Sequence, residues 1–240
     1  MNQHSFASRL IDTGVVICLI ITLAAAIYGH SGAKESGLSL TESYITEYMK
    51  QAPRWPWLTA ATFSLAISLF WLAAAFLQAS NPNLLTCTGS LLLAATAMAH
   101  FFVAYAPVRR VQQPAPIHEW WTPAWWFTSQ TSQSEYEHGM ADAYSDVHYH
   151  AIRLVVTFGI ASVCSIAAAY WMKDRRRLFS HRSLAVAVLM SVFFLMGDQW
   201  NFHRGLWQRI GFALMYCWLW DAWLVCRSTR KSSMLKHNQR

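Results

Sequence analysis

Six long apolar segments separated by polar connections limit the folds that this chain can adopt. A helix needs roughly 20 apolar residues to cross a bilayer. Hydrophobic residues make up 55% of the 240 residues and charged residues only 13%, which is typical of membrane proteins. The sequence predicts an all-α, polytopic membrane protein with six transmembrane helices, at residues 10–29, 57–77, 84–106, 152–172, 183–200 and 206–226.

We interpret residues 1–240 as a single membrane domain with two long non-cytoplasmic segments, 30–56 and 107–150. The second segment connects the third and fourth helices and is too long to be a simple connector. The apolar segment 10–29 is longer than the apolar core of a typical signal peptide, so we interpret it as a span.

The positions of Lys and Arg predict the orientation, because such residues beside a span resist translocation. With six spans, Arg9, the 173–183 connection and the tail after residue 226 lie on one side and carry most of these residues. Both termini are therefore predicted to be cytoplasmic. We interpret the net charge of +7 as a consequence of this topology and as a means of contact with anionic lipids. The expected partner is the lipid bilayer, and nucleic acid is excluded because no soluble domain carries a groove for it.

The segment 107–150 contains the sequence HEWWTPAWWF, in which Trp120, Trp121, Trp125 and Trp126 surround Pro123. Tryptophan prefers the membrane interface, where its ring is half desolvated and its N–H still finds a partner. Two interpretations stay open. The segment is either an interfacial anchor or a docking surface for another subunit or a lipid-like ligand.

The segment 30–56 contains SLTESYITEYMK, in which Ser39 and Glu42 have the spacing of a capping box. Apolar residues recur every four positions from Leu40, which predicts a short amphipathic helix at the interface. Glu47 is a candidate catalytic acid in this helix, and a solvated helix face is the simpler explanation.

A polar stripe precedes the fourth span in EYEHGMADAYSDVHYHAIRL. His138, Asp142, Asp146 and His150 are four residues apart, so a continuous helix places them on one face. Carboxylates and imidazoles at this spacing converge on one point beside a helix, as in helical metal sites. By the same spacing, His148 faces elsewhere.

Two further histidines are expected on the same side of the membrane. His100 lies within the third span, and His203 lies in the loop GDQWNFHRG before the last span. The simpler explanation for each histidine is a hydrogen bond to a backbone carbonyl. The candidate metal ligands, for a divalent ion such as zinc, are His150, Asp146, Asp142, His100 and His203.

Arg209 lies about one turn inside the last span, where its charge needs a carboxylate, phosphate or carbonyl partner. The carboxylate candidates are Asp146, Asp198 and Glu47. Arg209 and Glu47 are the two candidate catalytic residues.

Asp221, near the cytoplasmic end of the last span, is predicted to form a structural pair with Arg9 or with an arginine of the 173–183 connection. Asp12, in the first span, has the same explanation.

The order of these motifs resembles a bacterial integral-membrane family catalogued as domain of unknown function 998. ITEYM, at 45–49, is similar to a Ser-Glu-Leu-like segment that follows the family's first span, with Glu47 on the acid. DVHYHAIR resembles the start of a span that carries histidines about one turn apart. His150 is the best match, and Asp146 stands where the other histidine would be.

Two motifs depart from the family pattern. GLWQR keeps Gly205, Leu206 and Arg209 of a Gly-Leu-x-Glu-Arg motif but has Gln208 in place of the acid. YAPVRR keeps Pro107 of a Phe-Pro-x-Asp-like turn but has no acid. The resemblance implies a six-helix fold in the bacterial inner membrane and a set of polar positions, but no known activity.

Three functions are compatible with these features. The sequence favours an accessory or binding subunit of a membrane complex that docks through the Trp-rich loop, because no full catalytic set follows from spacing alone. One alternative is a metal-dependent hydrolase of a lipid-linked substrate at the outer leaflet, with metal on Asp146 and His150 and phosphate on Arg209. The other is haem or quinone binding between His100 and His150. Whether the protein is an enzyme is left open.

Overall fold

In a computed structural model of the chain, the described residues are 3–31, 38–41, 43, 45, 49, 54–78, 82–105, 143–172, 176–199 and 203–237. These residues form six α-helices and no strand. The helices are α1 (Gln3–His30), α2 (Trp55–Gln78), α3 (Leu84–Tyr105), α4 (Ala143–Trp171), α5 (Arg177–Gln199) and α6 (Arg204–His237). The all-α prediction is confirmed, and each predicted span falls on one helix.

Consecutive helices are antiparallel and pack against each other in chain order. In α1 and α2, for example, Gly29 lies beside Leu58 and Gly14 lies beside Trp71. α6 closes the bundle by packing against α5, α2 and α1. We call the end at which α1, α3 and α5 finish the loop end, and the opposite end, at which α6 finishes, the tail end.

Five of the six described helices are long and apolar enough to cross a membrane: α1, α2, α3, α4 and α5. Their outward sides expose large apolar side chains, such as Ile27 (64%) and Leu91 (69%), as lipid contact requires. The chain is therefore a multi-pass membrane protein. α6 does not reach the same apolar character, because Gln208, Arg209 and Asp221 interrupt it. Its role as the sixth span stays a prediction.

The main hydrophobic core lies mostly in the tail half of the bundle and takes residues from all six helices. Three of its aromatic rings meet edge to face. The ring centroids of Phe76 and Tyr170 are 6.1 Å apart, and those of Tyr170 and Phe179 are 5.3 Å apart. In the loop half, the described residues form smaller apolar clusters, such as that of Met49 and Leu58. The tail half thus supplies most of the close packing.

The contact between α3 and α4 is tighter at Gly89, near the tail end, than at Gly159, near the middle of α4. A Cβ atom on Gly89 would lie 2.6 Å from Ile166 Cγ1 and 3.2 Å from Ile166 N. Small residues allow helix backbones to approach in this way. Gly159 is also buried. A Cβ there would lie 3.7 Å from Thr96 Cγ2 and, among the described residues outside its own helical turn, within 4 Å of no other heavy atom.

We expect Gly89→Ala to destabilise the fold by about 1–3 kcal/mol, because the added methyl group meets the Ile166 backbone, which cannot move aside cheaply. Gly159→Ala should be neutral, or stabilising by up to about 1 kcal/mol, because alanine has the higher helix propensity. Thermal unfolding of both variants in the same detergent tests this. An equal loss of stability in the two variants would contradict the described difference in packing.

Two ion pairs tie α6 to its neighbours near the tail end. Asp12 of α1 accepts hydrogen bonds from Arg230 and from Trp223 Nε1, the latter at 3.1 Å. Asp221 accepts one from Arg182 Nη2 at 2.8 Å. The structural pairing predicted for both aspartates is confirmed. Asp221 pairs with an arginine of the predicted connection, whereas the partner of Asp12 is Arg230 in the last helix.

We expect the two pairs to differ in their contribution to stability. The Arg230 side chain is 5% exposed, so Asp12→Ala should cost about 3–5 kcal/mol by leaving a buried charge without its carboxylate. The Arg182 side chain is 52% exposed, so Asp221→Ala should cost at most about 1 kcal/mol. Unfolding measurements compare the two, and the double variant Asp12→Ala/Arg230→Met should recover part of the loss. No recovery in the double variant would show that the buried charge is not the cause.

Candidate functional site

Four large buried polar side chains lie in the loop half of the bundle, where the main core is thin. The exposed fraction is 2% for His100, 0% for His148, 8% for Arg153 and 9% for Gln208. These residues lie within about three turns of the loop end of their helices. Polar groups within a span are costly and usually serve a function. The loop half is therefore the candidate functional site.

Three hydrogen bonds hold Thr41, Ser43 and Ile45 of the outer segment 38–49 against the start of α6. In each of them, a group of α6 pairs with a backbone group of the segment. These bonds join Leu206 N–H to Thr41 O (2.9 Å), Ile45 N–H to Gln208 Oε1 (2.8 Å) and Arg209 Nη1 to Ser43 O (2.8 Å). We call this set of bonds the α6 clamp.

Gly205 makes the close approach in the α6 clamp possible. A Cβ atom on Gly205 would lie 2.2 Å from Ser43 O and 2.7 Å from Arg209 Nη1. Arg209 Nη1 also donates to Gly205 O at 2.8 Å, so its two hydrogens are shared between the helix and the segment. Of the partners predicted for Arg209, the structure thus provides the carbonyl.

The start of α6 depends on His203, which precedes the helix with a φ of 54°. This left-handed conformation is uncommon outside glycine, although histidine tolerates it better than most residues. The His203 carbonyl accepts the N–H groups of Leu206 at 2.9 Å and Trp207 at 3.1 Å. Its main chain therefore directs the first turn of α6 toward the clamped segment.

The amphipathic helix predicted in the outer segment is found in part. Ser43 N–H donates to Ser39 O at 2.9 Å, and Ser39 N–H donates to Ser43 Oγ at 3.2 Å. Met49 has helical conformation and packs on Leu58 of α2. Glu42, which the capping-box prediction invoked, lies outside the described residues. The described part of the segment lies at the loop end of the bundle and also packs against it.

We expect Gly205→Ala to release the outer segment, because the new methyl group cannot occupy the space next to Ser43 O. Amide hydrogen exchange of residues 38–49 should become faster while exchange in α2 and α3 is unchanged. Gly211→Ala is the matched control in the same helix, because its Cβ would lie 3.4 Å from the nearest atom of the Phe194 ring. Unchanged protection of the segment in Gly205→Ala would contradict the clamp.

α4 contains the second half of the predicted polar stripe. Asp146 and His150 both lie in this helix. His138 and Asp142 lie outside the described residues. For Asp146, the structure describes the backbone and not the side chain. The four-residue spacing of Asp146 and His150 is therefore helical, as predicted, and the first half of the stripe stays a prediction.

His148 lies on the side of α4 that faces α3. Its Nδ1 is 3.1 Å from Val103 O, and Ala151 and Val155 pack against α3 on the same side. Successive helix residues are about 100° apart, so His150 lies about 200° around the helix from His148. The prediction that His148 faces away from the stripe is confirmed.

His100 occupies the side of α3 that faces α4. It lies one turn from both Thr96 and Val103, and its Nδ1 is 2.9 Å from Thr96 O. Because the stripe lies on the other side of α4, His100 and His150 do not face the same space. The described residues include no group of three His, Cys, Asp or Glu side chains that could hold a metal ion. A metal site that includes Asp142 and Asp146 stays a prediction.

Arg153 and the buried position of His148 were not predicted from the sequence. Arg153 lies three residues after His150 and therefore continues the stripe, yet it is only 8% exposed. An arginine inside a predicted span was the available signal. For His148, the signal was its spacing of three and seven residues from the apolar residues Ala151 and Val155, which define the side of α4 that packs on α3.

Two predicted functional elements lie outside the described residues. One is the candidate acid Glu47. The other is the tryptophan cluster, with Trp120, Trp121, Trp125 and Trp126.

The described helices define a multi-pass helical membrane protein with a polar layer near one end. The family model described as "Protein of unknown function (DUF998)" matches residues 16–223, so the chain belongs to this family and the resemblance is confirmed. No curated protein and no solved structure matches the chain.

Proposed function

We propose that the protein is an accessory or binding subunit of a membrane complex, and that it docks at its loop end through the Trp-rich segment 107–150. The observation that carries this proposal is the α6 clamp. It holds Thr41, Ser43 and Ile45 by their main chain, so part of the loop end is fixed before any partner arrives. A surface that is already ordered loses less conformational entropy on binding.

The use of polar atoms in the clamp also favours binding over catalysis. Gln208 accepts a backbone N–H at 2.8 Å, and Arg209 donates to two backbone carbonyls at 2.8 Å. These groups position the chain. The metal-dependent hydrolase, in which Arg209 would hold a phosphate, rests on the sequence pattern alone.

The location of the Trp-rich segment supports the same role. α3 ends at Tyr105 and α4 begins at Ala143, both at the loop end. The segment between them therefore starts and finishes at the same end of the bundle as the clamp. Tryptophan side chains are frequent anchors of interfaces, because they bury a large area and lose few rotamers.

We also propose that α6 is the sixth span and that both termini are cytoplasmic in a bacterial inner membrane. α6 has 34 residues, and a helix of that length extends for about 50 Å, more than the roughly 30 Å of the hydrocarbon core. Arg227 and Lys231 lie in its last third, toward the tail end. Basic residues at that end fit a cytoplasmic side.

We expect a partner chain to co-purify with the wild-type protein after mild cross-linking in native membranes. Deletion of residues 115–129 should abolish this co-purification, because it removes the four tryptophans. A variant with all four tryptophans changed to alanine should behave in the same way while keeping the loop length. Mass spectrometry of the purified samples identifies the partner.

Trp171→Ala is the matched control, because Trp171 is 43% exposed at the tail end of α4. This variant should keep the partner. Thermal unfolding of each variant verifies that the bundle is intact. Retention of the partner by both loop variants would contradict docking through the tryptophans, and the absence of any cross-linked chain would contradict the subunit role.

A further inference from the structure

His100 is a buried histidine whose hydrogen bonding defines its tautomer. Its side chain is 2% exposed, and its Nδ1 is 2.9 Å from Thr96 O. A carbonyl oxygen can only accept, so the Nδ1 atom carries the hydrogen. In the neutral imidazole, the other nitrogen, Nε2, is then a hydrogen-bond acceptor.

The Nε2 atom of His100 is fully buried and has no hydrogen-bond partner among the described residues. Inside a bilayer no bulk water is at hand to satisfy such an acceptor. Buried polar atoms are normally paired, and an exception calls for an explanation. The surroundings of His100 favour one explanation, which is a bound molecule that donates a hydrogen bond to Nε2.

The contact between α3 and α4 is loose opposite Thr96, one turn before His100. Gly159 is buried, but a Cβ atom there would touch a single described atom, Thr96 Cγ2 at 3.7 Å. Thr96 lies one turn before His100 on the same side of α3. The missing side chain at Gly159 thus leaves room opposite Thr96, one turn before His100.

The residues around this space provide apolar surface and hydrogen-bond acceptors. Thr96 Oγ1 donates its hydrogen to Leu92 O at 2.8 Å, which leaves the hydroxyl oxygen as an acceptor. Ala99 and Val155 provide apolar surface nearby. A molecule that fits this space is apolar and carries a hydroxyl group.

We propose that the α3–α4 interface binds an apolar hydroxyl compound, such as a quinol or an isoprenoid alcohol, whose O–H donates to His100 Nε2 and which extends into the gap at Gly159. His100 lies about 8 Å from the loop end of α3, a depth that an amphipathic molecule reaches from the bilayer. This site differs from the predicted haem or quinone site, because it uses no residue on the stripe side of α4. It also selects the hydroxyl form, because an oxidised quinone offers only acceptors to Nε2.

The test is thermal unfolding of the full-length protein in mild detergent, measured as the fraction that stays monodisperse on size exclusion after heating. The probes are decyl-hydroquinone, the corresponding decyl-benzoquinone and farnesol. A hydroxyl probe at about 100 times its Kd should raise Tm by about 5 °C or more. The quinone should give little or no shift. A shift with decyl-hydroquinone alone assigns the ligand as a quinol, and a shift with both hydroxyl probes assigns the hydroxyl group as the shared feature.

Two variants locate the site. His100→Leu removes the acceptor, and Gly159→Leu fills the space while His100 is retained, so the second variant tests the site if the first does not fold. Both should lose the Tm shift. His181→Leu is the matched control, because His181 is exposed and contacts Trp171 at the tail end.

Three results would overturn the proposal. They are no Tm shift with either hydroxyl probe, an equal shift with the quinone, and a full shift in Gly159→Leu. The subunit role is independent of these outcomes, because it depends on co-purification through the Trp-rich segment.

Discussion

The need to satisfy polar groups inside an apolar bundle governs much of this structure. In a membrane, a buried donor or acceptor cannot turn to water, so a partner must come from the protein or from a ligand. Several side chains use the carbonyl one turn earlier in their own helix. Thr22 donates to Cys18 O and Ser90 to Thr86 O, both at 2.8 Å, and His30 uses Ala26 O at 2.7 Å. Groups that bond across helices are therefore the ones that fix how the helices sit together.

α6 makes many of these bonds between helices. Tyr216 donates to Leu19 O of α1 at 2.8 Å, and Trp218 Nε1 donates to Ser183 Oγ of α5 at 2.9 Å. At its start, the same helix holds the outer segment through the α6 clamp. A helix that bonds to both neighbours and to the outer segment links the packed tail half to the polar loop half. This arrangement gives Gln208, Arg209 and Asp221 of α6 roles in holding the bundle together.

The α6 clamp also gives a physical reason for one departure from the family pattern. Where the motif that GLWQR resembles has an acid, this chain has Gln208, and Gln208 Oε1 accepts the N–H of Ile45 at 2.8 Å. A carboxylate oxygen can accept the same bond, so glutamine preserves the acceptor while removing the charge. The two motifs that the resemblance singled out, ITEYM and GLWQR, thus meet in the structure. Neither motif by itself indicates that they pair.

The sequence was enough to locate the helices, because length and apolar character are local properties that decide whether a segment can cross a bilayer. It also determined that Asp146 and His150 share one helix face, because that follows from helical spacing. It did not determine which side of α4 packs on α3, that Arg153 is buried, or that Arg209 reaches the Ser43 carbonyl. These points follow from the packing of the helices, because they depend on the rotation of each helix about its axis and on contacts between residues far apart in the chain.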